Sequence, residues 1–161
     1  MSKKTIWITG GSTGIGKALA IKFASKGWNV AVSARRAELL NELSNSYENI
    51  SGFPLDVTDK EKCKEVFNEI KNKYENIDIC FFSTGTWDPK KEKDIDVEQM
   101  EDVFKVNFFG TVNSIKAVEQ YFRDKKKCKE VFNEIRNKYE NIDICFFSTG
   151  TWDPKKEKDI D

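Results

Sequence analysis

Hydrophobic positions recur along this chain in two alternating rhythms. Short apolar runs predict strands at Ile6–Thr9, Asn29–Ser33, Ser51–Leu55 and Ile77–Phe82. Between them, longer stretches of helical spacing predict helices at Gly14–Lys26, closed by Gly27, then Ala37–Tyr47 and Lys60–Tyr74. Within the last of these, Phe67, Ile70 and Tyr74 read as core-facing packing positions. Further on, Met100, Phe104, Phe108, Val112, Ile115, Val118 and Phe122 form one apolar stripe, predicting a helix from Val97 through Gln120. The loop before it, Thr86–Lys91, is polar apart from Trp87 and reads as a solvated loop, with a substrate-facing Trp87 as the alternative. Strands and helices in turn imply an α/β fold, a doubly wound parallel sheet with helices on both faces.

The pattern then repeats itself. Residues Asp59–Asp96 return as Asp124–Asp161, differing only at Glu61/Lys126 and Lys71/Arg136. Structural repeats drift while keeping a pattern, and this copy has hardly drifted. Recent duplication, recombination or an assembly error explains it better than a selected repeat architecture. The copy supplies one more helix, Lys129–Tyr139, and one more strand, Ile142–Phe147, for about five strands in all. An unbroken helix from Val97 to Tyr139 would be ~65 Å long at 1.5 Å per residue, too long for a domain of this size. A break is expected near Arg123–Lys127, where the stripe lapses into charge. The extra strand would then lie parallel beside Ile77–Phe82 through a right-handed crossover. Residues 1–124 thus read as one domain. Residues 125–161 form a copied helix–strand segment, an extra packed unit or a loosely ordered one.

Thr9-Gly10-Gly11-Ser12-Thr13-Gly14-Ile15-Gly16 links the first strand to the first helix, and that context marks residues 1–124 as an expected dinucleotide-binding domain. Strand, glycine turn and helix N-terminus together present free N–H groups and a positive dipole end to a phosphate. Composition narrows the partners. The 161 residues carry 27 basic and 27 acidic side chains, so no basic field points to nucleic acid or an anionic membrane. No run is long enough to span a bilayer, and Met1-Ser2-Lys3-Lys4 leads into the first strand without a signal sequence. The four cysteines lack C-x-x-C spacing and there is no histidine, which argues against zinc and a disulfide framework. A reducing, cytoplasmic setting is expected, with Cys80 and Cys145 as buried thiols.

The T-G-x-x-x-G-I-G motif resembles that of the short-chain dehydrogenases/reductases, and the match runs from about Lys3 to Lys125. That resemblance implies an incomplete Rossmann-like sheet, with Gly10, Ser12, Thr13, Gly14, Ile15 and Gly16 holding the adenine-side ribose and pyrophosphate of NADP(H). At the end of the second strand, Ser33-Ala34-Arg35-Arg36 lacks the acid that would select NAD. Arg35 and Arg36 instead offer guanidinium groups suited to a 2′-phosphate. By the same resemblance Asp56 and Val57 meet the adenine. Ser83, Thr84 and Gly85 stand where the family usually has Asn, Ala and Gly. Asn107, in Val106-Asn107-Phe108-Phe109-Gly110, matches the helix asparagine that supports a proton-relay water.

The family's catalysis uses a Tyr-x-x-x-Lys and a strand-end serine. Tyr121–Lys125 has that spacing, with Ser114 upstream. Asn107 and Tyr121 would nevertheless lie about 21 Å apart on one helix, outside relay distance. Tyr121 is therefore expected on the helix surface, and the catalytic Ser, Tyr and Lys are expected to be absent. The resemblance implies hydride transfer between NADPH and a carbonyl or alcohol, with cofactor binding retained here and catalysis lost. The alternatives are a non-catalytic NADP(H)-binding module and a fragment without function. Relatives pair through the Asn107 helix, so a homo-oligomer is a further expectation, and no metal is expected.

Overall fold

The computed structural model describes residues 3–86 and 96–124. Within them four parallel strands form one sheet: β1 (Thr5–Thr9), β2 (Asn29–Ala34), β3 (Ile50–Pro54) and β4 (Ile79–Phe82), in the order β3-β2-β1-β4. Register runs Thr5↔Asn29 to Thr9↔Ser33 on one side of β1 and Ile6↔Ile79 to Thr9↔Phe82 on the other. Helices α1 (Gly14–Ser25), α2 (Ala37–Ser46) and α3 (Lys60–Lys73) connect the strands. After β4 come α4 (Val97–Val103), a π-helical segment (Phe104–Phe109) and α5 (Gly110–Asp124). The fifth strand, the helix Lys129–Tyr139, Cys145 and Trp87 lie outside the described residues. Arg123 and Asp124 remain helical, and the rest of the expected break also lies outside them.

Alternation along β1 builds the two layers. Ile6 and Ile8 point to one face, where they join Val30, Val32, Leu40, Leu43 and Ile50 under α1 and α2. Trp7 points to the other, packing with Phe53, Val66, Phe67, Ile70 and Ile77 under α3 and α5. The Trp7 indole donates to Ser33 Oγ at 2.9 Å and meets Phe82 edge-on at 5.8 Å, so its one polar atom is satisfied in the core. Phe67 and Ile70 are buried as their spacing predicts, and Tyr74 packs at the margin with its hydroxyl on Ser51 at 2.9 Å.

The long apolar stripe divides. Val118 is buried and Phe122 packs on the core, but Phe104 is 61% exposed, Phe108 53%, and Met100 and Val112 are exposed too. The buried seam is Gly110, Ser114 and Val118. Close helix packing selects small side chains at the contact, whereas the sequence pattern picks out bulk. The wider π turn re-phases the helix between the two ends of the stripe. Among the described residues no helix is long and apolar enough to cross a membrane, and no group of acidic, cysteine or histidine side chains could hold a metal.

Candidate dinucleotide site

Strand order reverses between β1 and β4, and in an open α/β sheet the crevice outside the carboxyl ends of the strands at such a point takes the ligand. A cleft of about 660 Å³ opens there. It is lined by Gly10, Ser12, Thr13, Gly14, Ile15 and Gly16 after β1, and by Arg35 and Arg36 after β2. Asp56 and Val57 after β3, and Ser83, Thr84 and Gly85 after β4, complete the walls. All thirteen residues singled out for a cofactor therefore meet in one place. Ala34, Leu55 and Val106 share the lining. Asn107 is not part of that lining.

The floor is built for close approach. Gly10 has φ +70°, and a Cβ there would lie 2.6 Å from the Ser83 carbonyl oxygen. Only glycine permits that left-handed turn pressed against the end of β4. Ser83 Oγ donates to the Thr9 carbonyl at 2.9 Å and ties the two strand ends together. Helices α3 and α4 have their first N–H groups satisfied by Asp59 and Asp96, through Lys62 N and Gln99 N. The N-terminus of α1 has no side-chain cap and no acid in its first turn. Its N–H groups and positive dipole end thus face the cleft without a competing anion.

At the β2 end, Arg36 Nη2 donates to Thr13 Oγ1 at 3.4 Å, so a guanidinium leans over the glycine turn. Asp56 Oδ1 accepts from Thr58 N at 2.9 Å and Thr58 Oγ1 at 2.8 Å. Burial pushes the Asp56 carboxyl upward. The two Thr58 hydrogen bonds and the charges of Arg35 and Lys105 outweigh it, and hold the carboxyl below its ordinary range. Nothing in the sequence pattern marked Lys105 as a neighbour of Asp56; the π segment brings it there.

Asn107 faces inward. Its Oδ1 accepts from Thr86 N at 2.7 Å and its Nδ2 donates to the Thr86 carbonyl at 3.0 Å. The amide is thus engaged at both ends by the backbone that follows Gly85. Tyr121 departs from its expected surface position. It is half-buried, its hydroxyl accepts from Ile77 N at 2.8 Å, and its ring meets Phe67 edge-on at 5.4 Å. An aromatic body with a polar tip suits that gap among α3, β4 and α5. Ile77 lies below β4 and Ser83 above it, about 20 Å apart at 3.3 Å per residue. Tyr121 is therefore at the opposite end of the sheet from the cleft.

The family model of the short chain dehydrogenases matches residues 4–132. This chain belongs to the short-chain dehydrogenase family. As a short-chain dehydrogenase it is 31% identical over 122 residues to an uncharacterized oxidoreductase of Listeria monocytogenes, covering 73% of this chain and 49% of that protein. It is also 31% identical over 121 residues to a cis-2,3-dihydrobiphenyl-2,3-diol dehydrogenase of Paraburkholderia xenovorans, covering 71% and 43%. Among solved structures, ElxO with NADP bound superposes with a TM-score of 0.67 at 29% identity, covering 76% of this chain and 51% of that one. A short-chain dehydrogenase from Streptomyces avermitilis gives 0.71 at 27%, covering 78% and 46%. The chain thus spans about half the length of the short-chain dehydrogenases it matches.

Proposed function

We propose that these residues form the NADP(H)-binding half of a short-chain oxidoreductase and that they hold the cofactor without turning over a substrate. One observation carries the reading: an uncapped helix N-terminus, a left-handed Gly10 and two arginines border the same cleft. The residues fit the group. Gly10–Gly16 would hold the pyrophosphate against the α1 N-terminus, Arg35 and Arg36 the 2′-phosphate, and Asp56 and Val57 the adenine. When bound, NADP(H) supplies or accepts a hydride at a carbonyl or alcohol carbon. The chain's own part is to bind, orient and keep the cleft walls in place, the last through Asn107 and Thr86. The distance of Tyr121 from the cleft supports the loss of the Tyr-Lys pair, as does the copied segment standing where relatives continue. The same copy favours a second reading, a rearranged fragment of an otherwise ordinary enzyme. The exposed Phe104, Phe108 and Val112 support a homo-oligomer formed through this helix. The free Cys63 and Cys80 support a cytoplasmic setting.

Thermal shift on the purified chain tests the binding. NADPH raises the melting temperature and NADH raises it less. Equal shifts overturn the role of Arg35 and Arg36, and no shift with either overturns the site. The expected outcome of an NADPH-dependent carbonyl reduction assay on the same chain is no turnover. Tyr121→Phe leaves NADPH binding unchanged and costs about 1 kcal/mol of stability, the value of the hydrogen bond from Ile77 N. Turnover that Tyr121→Phe abolishes overturns the non-catalytic reading.

A further inference from the structure

The turn after β3 has its own brace, which the nucleotide reading does not use. Asn113, on α5, donates from Nδ2 to the Val57 carbonyl at 3.0 Å. The buried Cys63 thiol lies 3.6 Å from the same oxygen. Three residues earlier on the helix, Gly110 brings the backbone against Val57, and a Cβ there would collide with Val57 Cγ2. Glycine lets the helix approach and the asparagine fixes the register of the turn it approaches. Val57 is buried and lines the cleft beside Asp56, whose Oδ1 is held by Thr58. Helix α5 therefore reaches past its own connection to grip the far wall.

We propose that Asn113 is a positioning residue for base recognition, fixing the Asp56–Val57 turn so that the cleft distinguishes an aminopurine from an oxopurine. The proposal rests on the dinucleotide reading of the cleft and adds a residue outside its lining. A carboxylate accepts from an exocyclic amino group and repels a carbonyl oxygen in the same place. That discrimination survives only if the carboxylate cannot drift. A hydrogen bond on the next residue's carbonyl restrains it, and the bond is sheltered by the helix contact at Gly110.

The experiment titrates the 161-residue chain with NADPH and with its hypoxanthine analogue, and follows apo melting alongside. The native chain binds NADPH more tightly than the analogue. Asn113→Asp has the same shape and no N–H to give. It lowers NADPH affinity about tenfold, the scale of one hydrogen bond, and brings the two affinities together. Asn113→Ala does the same. Arg36→Ala weakens both ligands equally and keeps their ratio. Should the Asn113→Ala protein fail to fold, the isosteric Asp variant decides. An unchanged ratio in Asn113→Asp overturns the proposal, as does an equal loss for both ligands, which is the mark of a merely structural role. A native chain that binds both ligands equally overturns it too, while leaving the dinucleotide site standing. A native chain that binds neither overturns the dinucleotide site itself.

Discussion

Cys63 shows how a single buried group records its surroundings. Its side chain is fully enclosed beneath Val57, and burial pushes the thiol up to about 11 from an ordinary 9.0, with the charges of Asp59 and Asp56 adding to the rise and the Ser114 hydroxyl partly offsetting it. Because the thiolate is disfavoured only in the folded chain, stability from this site is complete below pH 9 and is lost as pH rises from 9 toward 11. The expected loss is on the order of 2 kcal/mol. Urea unfolding at stepped pH measures it, and Cys63→Ala flattens the decline over that interval. The sequence showed the cysteine lacking C-x-x-C spacing, without its depth, because depth depends on α3 lying against α5. Arg35, Arg36 and Asp56 were legible for the converse reason. Each stands at a strand end, and in a parallel α/β sheet strand ends converge whatever covers the faces.

The helical elements were legible as elements but not as surfaces. Residues Val97–Asp124 are helical throughout, as the stripe required, yet the π segment and the small-residue seam decide which side faces in. Periodicity reports an apolar face; it does not report what that face meets. Val118→Ala removes two methyl groups from the core side of α5 and lowers stability by about 1–2 kcal/mol in chemical denaturation. Phe108→Lys, on the exposed side, changes monomer stability by no more than about 0.5 kcal/mol. Sedimentation of the same lysine variant examines association. A native oligomer that Phe108→Lys dissociates locates the contact on this face, and one that survives the substitution places it elsewhere. Boundaries of the strands were readable to within one or two residues. Only β4 begins later than its pattern, at Ile79; just before it Asp78 N donates to the Thr5 carbonyl at 2.9 Å and its carboxylate accepts from Thr5 N at 2.8 Å.

For the whole molecule, β1 holds the assembly together, paired on both sides and buried along its full length. That much follows from a sequence in which the first strand carries an unbroken apolar run, Ile6-Trp7-Ile8, and leads into the glycine turn. Among the described residues no strand follows Phe82, so no further strand end marks a substrate side. If residues 1–124 are the binding unit, a chain ending at Asp124 binds NADPH with the affinity of the 161-residue chain. Isothermal titration of both checks it, and a weaker short form assigns part of the site to residues 125–161. The strand order carries a consequence in time. β1 gains its first neighbour once residue 34 is made, but its second arrives only with Ile79–Phe82. At about 5–20 residues per second a ribosome needs roughly 4–15 s to travel from Trp7 to Phe82. For that interval the emerging chain carries its central strand with at least one edge bare and an indole waiting for Phe67 and Phe82, the moment at which a nascent-chain chaperone has most to shield.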